Sequence, residues 1–60
     1  MMHDDKIKEI QKALLIPADG WYGPRTFNAV RNFQVKNAAA GLVADGEVGP
    51  ATANKLGVML

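Results

Sequence analysis

The sequence contains an internal near-repeat, which limits the fold more than any other feature. Residues 18–30, ADGWYGPRTFNAV, return 26 residues later as residues 44–56, ADGEVGPATANKL, with seven of the thirteen positions identical. The two copies fill nearly half of a 60-residue chain. The fold must therefore accommodate the same local structure twice within one small domain, which we place at residues 1–60.

Each copy predicts a turn that starts a helix. Glycine adopts backbone angles that other residues avoid, and an aspartate in a turn accepts hydrogen bonds from nearby amides. Proline suits the first position of a helix, and the threonine hydroxyl two residues later can bond back to the turn. We therefore interpret the shared letters as structural turn and cap residues: Asp19, Gly20, Gly23 and Thr26 in the first copy, and Asp45, Gly46, Gly49 and Thr52 in the second.

The apolar spacing predicts three helices and therefore an all-α fold. In the first helix an aspartate, Asp4 or Asp5, caps the start, and Pro17 closes the end. The apolar residues of this helix lie three and four positions apart, and the last two extend the face to the helix exit: Ile7, Ile10, Leu14, Leu15 and Ile16.

The two copies of the repeat start the second and third helices. The second is expected from residue 24 to about residue 40, and the third from residue 50 to about residue 56. Gly41 and Gly57 are placed to end them, with Leu42 folding back against the first of these glycine stops.

The predicted core lies between the helices. Phe27, Val30 and Phe33 are the expected core residues of the second helix because they share one helical face. Gln11 and Gln34 border the apolar faces, and since a buried amide must be satisfied, we expect both to bond loop backbone. The complete face of the second helix is Thr26, Phe27, Val30, Phe33, Gln34 and Asn37.

The inventory of reactive side chains argues against catalysis. The chain has no serine or cysteine and a single histidine, His3, so nucleophilic and general-base schemes lack a positioned group. His3, Asp4 and Asp5 are consecutive and do not converge readily on one metal ion. Asp19 and Asp45 are better explained as turn residues than as a carboxylate pair for glycoside cleavage. We expect no catalytic residue, no metal and no cofactor.

The order of these motifs resembles the small peptidoglycan-binding domain of bacterial and phage cell-wall enzymes. The family pattern is roughly V-x-x-L-Q-x-x-L, D-G-x-[FY]-G-x-x-T-x-x-A-V-x-x-F-Q, G-L-x-x-D-G-x-V-G-x-x-T and a late leucine. The resemblance implies a three-helix fold and non-catalytic attachment to peptidoglycan, usually beside a separate hydrolase domain. Residues 7–56 match in order, through Ile7, Ile10, Gln11, Leu14, Asp19, Gly20, Tyr22, Gly23, Thr26, Ala29, Val30, Phe33, Gln34, Gly41, Leu42, Asp45, Gly46, Val48, Gly49, Thr52 and Leu56.

The chain departs from this pattern in two places. The link LIPA after the first helix is short, as in a compact variant of the family. The stretch NAAA before Gly41 adds about three residues to the usual spacing. Three residues are nearly one helical turn, so we expect a longer second helix and an outward shift of the loop at residues 41–46.

A local function belongs to the positions at which the two copies differ. Trp21 corresponds to Glu47, a position that tolerates charge, so the indole is expected to face water. There it either stacks on a sugar or an apolar peptide surface, or only shields the turn. Arginine forks match the carboxylates of stem peptides, and asparagine amides match peptide groups. The candidate ligand-binding residues are Trp21, Tyr22, Arg25, Asn28 and Arg31, with Tyr22 packed inward and its hydroxyl at the edge.

The leading interpretation is a monomeric module that binds glycan strands and stem peptides of peptidoglycan. It would hold an attached or partner hydrolase, such as a phage endolysin, at the wall. The chain shows no secretion signal, so synthesis in the cytoplasm is expected, with the export route open.

The alternative is a small protein- or DNA-interaction domain of the same fold. A net charge of +1 favours neither nucleic acid nor a membrane surface. A third hypothesis, an inhibitory prosegment, would normally need a metal-binding thiol, and the chain has no cysteine.

Overall fold

A computed structural model describes the backbone of residues 4–59 and the side chains of residues 5–59. This part of the chain forms three α-helices, α1 (Asp4–Ala13), α2 (Pro24–Lys36) and α3 (Pro50–Leu56), with a short 3₁₀ turn at Ala38–Ala40. Residues 4–59 contain no strand. The predicted all-α, three-helix fold is confirmed.

The first helix ends before the position that the sequence predicts. Leu15 adopts a left-handed φ of 61°, and its amide donates to the Lys12 carbonyl at 3.1 Å. The Ile16 amide donates to the Gln11 carbonyl, also at 3.1 Å. These paired bonds form a Schellman stop, so the prediction that Pro17 closes the helix is wrong. Leu15 is 92% exposed and does not extend the apolar face, because the left-handed residue turns the chain away from it.

The third helix ends with the same pair of hydrogen bonds, now around a glycine. Gly57 has a φ of 83°, and its amide donates to the Asn54 carbonyl at 3.2 Å. The Val58 amide donates to the Ala53 carbonyl at 2.9 Å. The predicted start, end and glycine stop of this helix are confirmed.

The second helix is shorter than the sequence predicts. It stops at Lys36, and Asn37 leaves helical geometry with a φ of −111°. The Asn37 side-chain amide donates to the Phe33 carbonyl at 2.8 Å, a local bond through which asparagine competes with a continuing helix. The residues beyond it form the 3₁₀ turn, which Gly41 ends at a φ of 91°. The expectation of one helix to residue 40 is therefore wrong.

The core is small and partly polar. Its buried apolar side chains are Ile7, Ile10, Val30, Leu42 and Ala53. Buried among them are the polar side chains of Gln11, Thr26, Gln34 and Thr52. No buried side-chain nitrogen or oxygen in the described part of the chain lacks a hydrogen-bond partner. Polar groups inside so small a core are therefore tolerated because each is satisfied.

The prediction that Phe27 is a core residue is wrong. Its side chain is 42% exposed, and its ring covers Gly46 in the second turn so closely that an added Cβ would clash with it. Val30 is fully buried, and Phe33 is half-buried. Phe27 moves to the surface because Gly46 leaves room for a ring between the two turns.

Candidate functional site

The first turn is organised by the buried side chain of Gln11. Its Oε1 accepts from the Gly20 amide at 2.9 Å. Its Nε2 lies within hydrogen-bonding distance of three acceptors: Asp19 Oδ1 at 2.8 Å, Trp21 O at 3.0 Å and Thr26 Oγ1 at 3.0 Å. One amide from α1 thereby fixes both the turn and the start of α2. The set Gln11, Asp19, Gly20 and Thr26 is called the first clamp below.

Asp19 closes the first clamp from the solvent side. Its Oδ1 also accepts from the Trp21 amide at 3.0 Å. The backbone hydrogen bond from Trp21 and then the side-chain bond from Gln11 hold the pKa of Asp19 below its ordinary value of 3.8, with a smaller contribution from the positive charge of Arg25. The carboxylate is therefore ionised near neutral pH and committed to the turn.

The second turn has the same organisation around Gln34. Its Oε1 accepts from the Gly46 amide at 2.9 Å. Its Nε2 lies 3.2 Å from Asp45 Oδ1, 2.8 Å from Glu47 O and 3.1 Å from Thr52 Oγ1. Asp45 Oδ1 accepts from the Glu47 amide at 2.9 Å, and this bond is the main cause of a lowered pKa of Asp45. Gln34, Asp45, Gly46 and Thr52 form the second clamp.

Both glutamines were expected to bond loop backbone, and this is confirmed. The glutamine precedes its clamped glycine by nine residues in the first clamp and by twelve in the second. The 3₁₀ turn at Ala38–Ala40 takes up the difference. The three additional residues therefore change the path of the chain without changing how Gln34 grips the second turn.

Tyr22 joins the two turns. Its hydroxyl donates to the Gly46 carbonyl at 2.6 Å, beside the ring of Phe27 on the same glycine. Burial, followed by the negative charges of Asp45 and Glu47, raises the pKa of Tyr22 to about 12. The hydroxyl is therefore a stable donor. It is used inside the protein, as the inward packing of Tyr22 predicts.

A cavity of about 300 Å³ opens beside the first clamp and is called the first cavity. Trp21 forms part of its lining and is 67% exposed, so the indole faces water as the comparison with Glu47 predicts. Arg25 lies at the start of α2, on the same cavity. The full lining is Gln11, Pro17, Asp19, Trp21, Gly23, Pro24, Arg25 and Thr26.

The structure brings together only part of the predicted ligand-binding set. Trp21 and Arg25 share the first cavity. Asn28 and Arg31 are exposed on α2 and do not line the cavity, and Tyr22 is half-buried between the turns. The cavity also recruits Pro17, which the sequence marks only as a helix breaker. No local signal identifies Pro17, because its position depends on how the chain leaves α1.

A second, smaller cavity of about 180 Å³ lies beside the second clamp. Every residue that lines the first cavity has its counterpart here, but Pro17 is replaced by Val43, Trp21 by Glu47 and Arg25 by Ala51. The second cavity therefore presents neither an aromatic surface nor a cation. Its lining is Gln34, Gly41, Leu42, Val43, Asp45, Glu47, Gly49, Pro50, Ala51 and Thr52.

Other kinds of site have little support in the described part of the chain. Within residues 4–59 no group of three or more histidine, cysteine, aspartate or glutamate side chains is placed to hold a metal ion. His3 and the Asp4 side chain, weighed above as metal ligands, lie outside the described residues. None of the helices described has the length and hydropathy needed to span a membrane.

Comparison with known protein families identifies the family of this chain. A family model described as "Putative peptidoglycan binding domain" matches residues 3–56. No curated protein and no solved structure matches the chain.

Proposed function

The chain belongs to the peptidoglycan-binding domain family, and we propose that the first cavity is where it holds the polymer. A domain of this family is a non-catalytic module that acts at the cell wall. The observation that carries the proposal is the placement of Trp21 and Arg25 on one cavity. The equivalent positions of the second turn are Glu47 and Ala51, which offer no such combination.

Trp21 supplies a flat apolar surface. The side chain is exposed, yet part of its ring lies close against the backbone at Gly23. A large side chain that is already held in place loses little conformational freedom when a ligand stacks on it. The ligand surface that suits it is the apolar face of a sugar ring or of a stem-peptide side chain.

Arg25 supplies a cation four residues after Trp21, in the first turn of α2. Its guanidinium influences the neighbouring Asp19 carboxylate through space, but Asp19 is already bonded to the turn through Oδ1. A carboxylate from a stem peptide would accept two parallel hydrogen bonds from the Arg25 guanidinium. The ligand chemistry of the first cavity is thus an apolar face next to a carboxylate.

The remaining predicted residues take secondary roles in this proposal. Asn28 and Arg31 follow Arg25 at intervals of three residues on α2, where successive side chains are neighbours on the helix surface. They would contact the polymer beyond the cavity. Tyr22 would act indirectly, by holding the second turn against the first through its bond to Gly46.

Attachment would serve a hydrolase. A binding module linked to, or associated with, a cell-wall hydrolase such as an endolysin raises the local concentration of substrate without altering the chemical step. We propose that the module acts as a monomer and binds neither nucleic acid nor membrane. The second candidate function, a protein- or DNA-interaction domain of the same fold, rests on the exposed arginines of α2.

The test is co-sedimentation of the domain with purified insoluble peptidoglycan, with cellulose, chitin and DNA as comparison polymers. We expect retention on peptidoglycan alone. Trp21→Ala should weaken retention by about 0.5–1.5 kcal/mol, the scale of one aromatic contact, and leave the melting temperature nearly unchanged. Arg25→Ala should also weaken it, by less as salt is raised, because an exposed charge contact is screened.

Glu47→Ala is the matched control, since it removes the side chain at the equivalent position of the second turn. It should leave retention unchanged. Equal losses in Glu47→Ala and Trp21→Ala would show that binding is not confined to the first cavity. Retention on DNA and not on peptidoglycan would favour the second candidate function.

A further inference from the structure

Gly23 is a glycine that its own backbone does not require. It precedes α2 with a φ of −104° and a ψ of −164°, an extended conformation that any residue adopts. What a side chain would meet there is the indole of Trp21. An added Cβ would lie 2.6 Å from Cζ3, 2.8 Å from Cε3 and 2.8 Å from Cη2 of that ring.

Gly49 shows that the close approach at Gly23 is particular to the first turn. It occupies the equivalent position before α3, with a φ of −93° and a ψ of −174°. Apart from Gly49 itself and its two neighbours in the chain, no described residue has an atom within 4 Å of a Cβ added there. Both glycines are helix N-caps followed by proline, so replacement by alanine carries the same capping cost at both sites. The indole contact is the difference.

We infer that Gly23 is a positioning residue of the ligand site: by lacking a Cβ, it seats the Trp21 ring on the turn and so fixes the indole relative to Arg25 across the first cavity. This inference rests on the proposed function. It also narrows the ligand, because a seated indole and Arg25 together select a group whose apolar face and carboxylate are joined at a fixed spacing. A ligand with only one of the two features would gain little from the fixed placement of the indole relative to Arg25.

A Cβ at Gly23 would act through the indole more than through the fold. The atoms it would strike belong to the far end of an exposed side chain, so the Cβ would push the ring off the glycine toward solvent. Gly23→Ala should therefore displace the ring at little cost in stability. A residue that served only the turn would show the opposite pattern, with a loss of stability and no effect specific to Trp21.

The experiment is a double-mutant cycle of Gly23→Ala and Trp21→Ala, with Gly49→Ala as the control. Trp21 is the only tryptophan, so tryptophan fluorescence and near-ultraviolet circular dichroism report directly on how the indole packs against Gly23. Retention on insoluble peptidoglycan and the melting temperature are measured on the same samples. We expect Gly23→Ala to shift the tryptophan emission to longer wavelength and to lower retention by a factor close to that of Trp21→Ala. In the Trp21→Ala background it should lower retention no further.

The control and the rescue decide between outcomes. Gly49→Ala should leave both the tryptophan signal and retention unchanged. If Gly23→Ala melts the domain, adding Trp21→Ala should restore the melting temperature to that of Gly49→Ala, since the clash is then gone. An unchanged tryptophan signal, an equal loss of retention in the Trp21→Ala background, or failure of the rescue would each overturn the inference. If Trp21→Ala itself retains full binding, the proposed site fails, and the role of Gly23 in binding fails with it.

Discussion

The two turns of this domain share one internal structure and present different surfaces. In each turn a buried glutamine bonds the aspartate, the glycine amide, a backbone carbonyl and the threonine hydroxyl. Each residue that lines the first cavity has a counterpart in the second, yet Trp21 and Arg25 face solvent in the first where Glu47 and Ala51 stand in the second. The near-repeat thus separates residues that build a turn from residues that give it a chemistry.

The comparison also shows where the structural equivalence resides. The glutamines lie outside the thirteen-residue repeat and at different distances from it. The same network nevertheless forms twice, because the 3₁₀ turn at Ala38–Ala40 returns the chain to the position that Gln34 requires. The clamp is therefore a unit of tertiary structure.

The largest expected effect comes from removing a clamp. Gln11→Ala would remove the partner of the Gly20 amide and one of two donors to the Trp21 carbonyl, which keeps the Thr26 hydroxyl at 3.3 Å. Gln34→Ala would remove the partners of the Gly46 amide and the Glu47 carbonyl. A buried group left without a partner costs about 1–3 kcal/mol, and losses above about 4 kcal/mol are exceptional for one substitution, so we expect each variant to lose roughly 2–4 kcal/mol of unfolding free energy. Urea unfolding measures both. Losses that differ by more than about 1 kcal/mol would show that the two clamps are not equivalent.

The clamp aspartates predict a common acid sensitivity. The pKa values of Asp19 and Asp45 are lowered from 3.8 by their hydrogen bonds in the folded state. A group with a lowered folded pKa contributes stability above its unfolded pKa and loses it as pH falls through the folded pKa. The melting temperature should therefore decrease as the pH is lowered below about 4.

Amide substitutions separate this contribution from those of other carboxylates. The acid limb is the part of the plot of melting temperature against pH that lies below about pH 4. Asp19→Asn and Asp45→Asn should each make this limb less steep by a similar amount, and the double variant should make it less steep still. Glu9→Gln, at an exposed residue of α1 outside both clamps, is the control for the loss of a carboxylate as such. A limb that is unchanged in the double variant would contradict the assignment.

Much of the fold could be predicted from the sequence because turn and capping chemistry is local. An aspartate, two glycines and a proline at fixed spacing predict each turn from the local sequence alone. The exits of α1 and α2 were missed for the opposite reason. Leu15 has no local preference for a left-handed backbone, and the end of α2 depends on a bond from Asn37 to Phe33 that competes with continued helix.

The candidate site, like the fold, could be predicted from the sequence only in part. The exposure of Trp21 followed from its alignment with Glu47, which is an argument from the repeat alone. The misplacement of Phe27 followed from treating helical spacing as sufficient evidence of burial, whereas its ring fills the space above Gly46. Pro17 and Gln11 enter the cavity lining through tertiary packing, which spacing along the chain does not encode.

The smallest expected effect is a gain, and it tests the comparison most directly. If the two clamps are equivalent supports, the chemistry of the first turn should be transferable to the second by Glu47→Trp with Ala51→Arg. The space above Gly49 is open, so a ring at residue 47 has room to lie on that glycine as Trp21 lies on Gly23. We expect retention on peptidoglycan to rise by less than the first site provides, because the second cavity is smaller.

Combining the graft with Trp21→Ala should restore part of the lost retention, and Gly49→Ala should cancel that gain while leaving the parent domain unaffected. A graft that folds, seats its indole by fluorescence and still adds no retention would show that the first cavity binds through features other than Trp21 and Arg25.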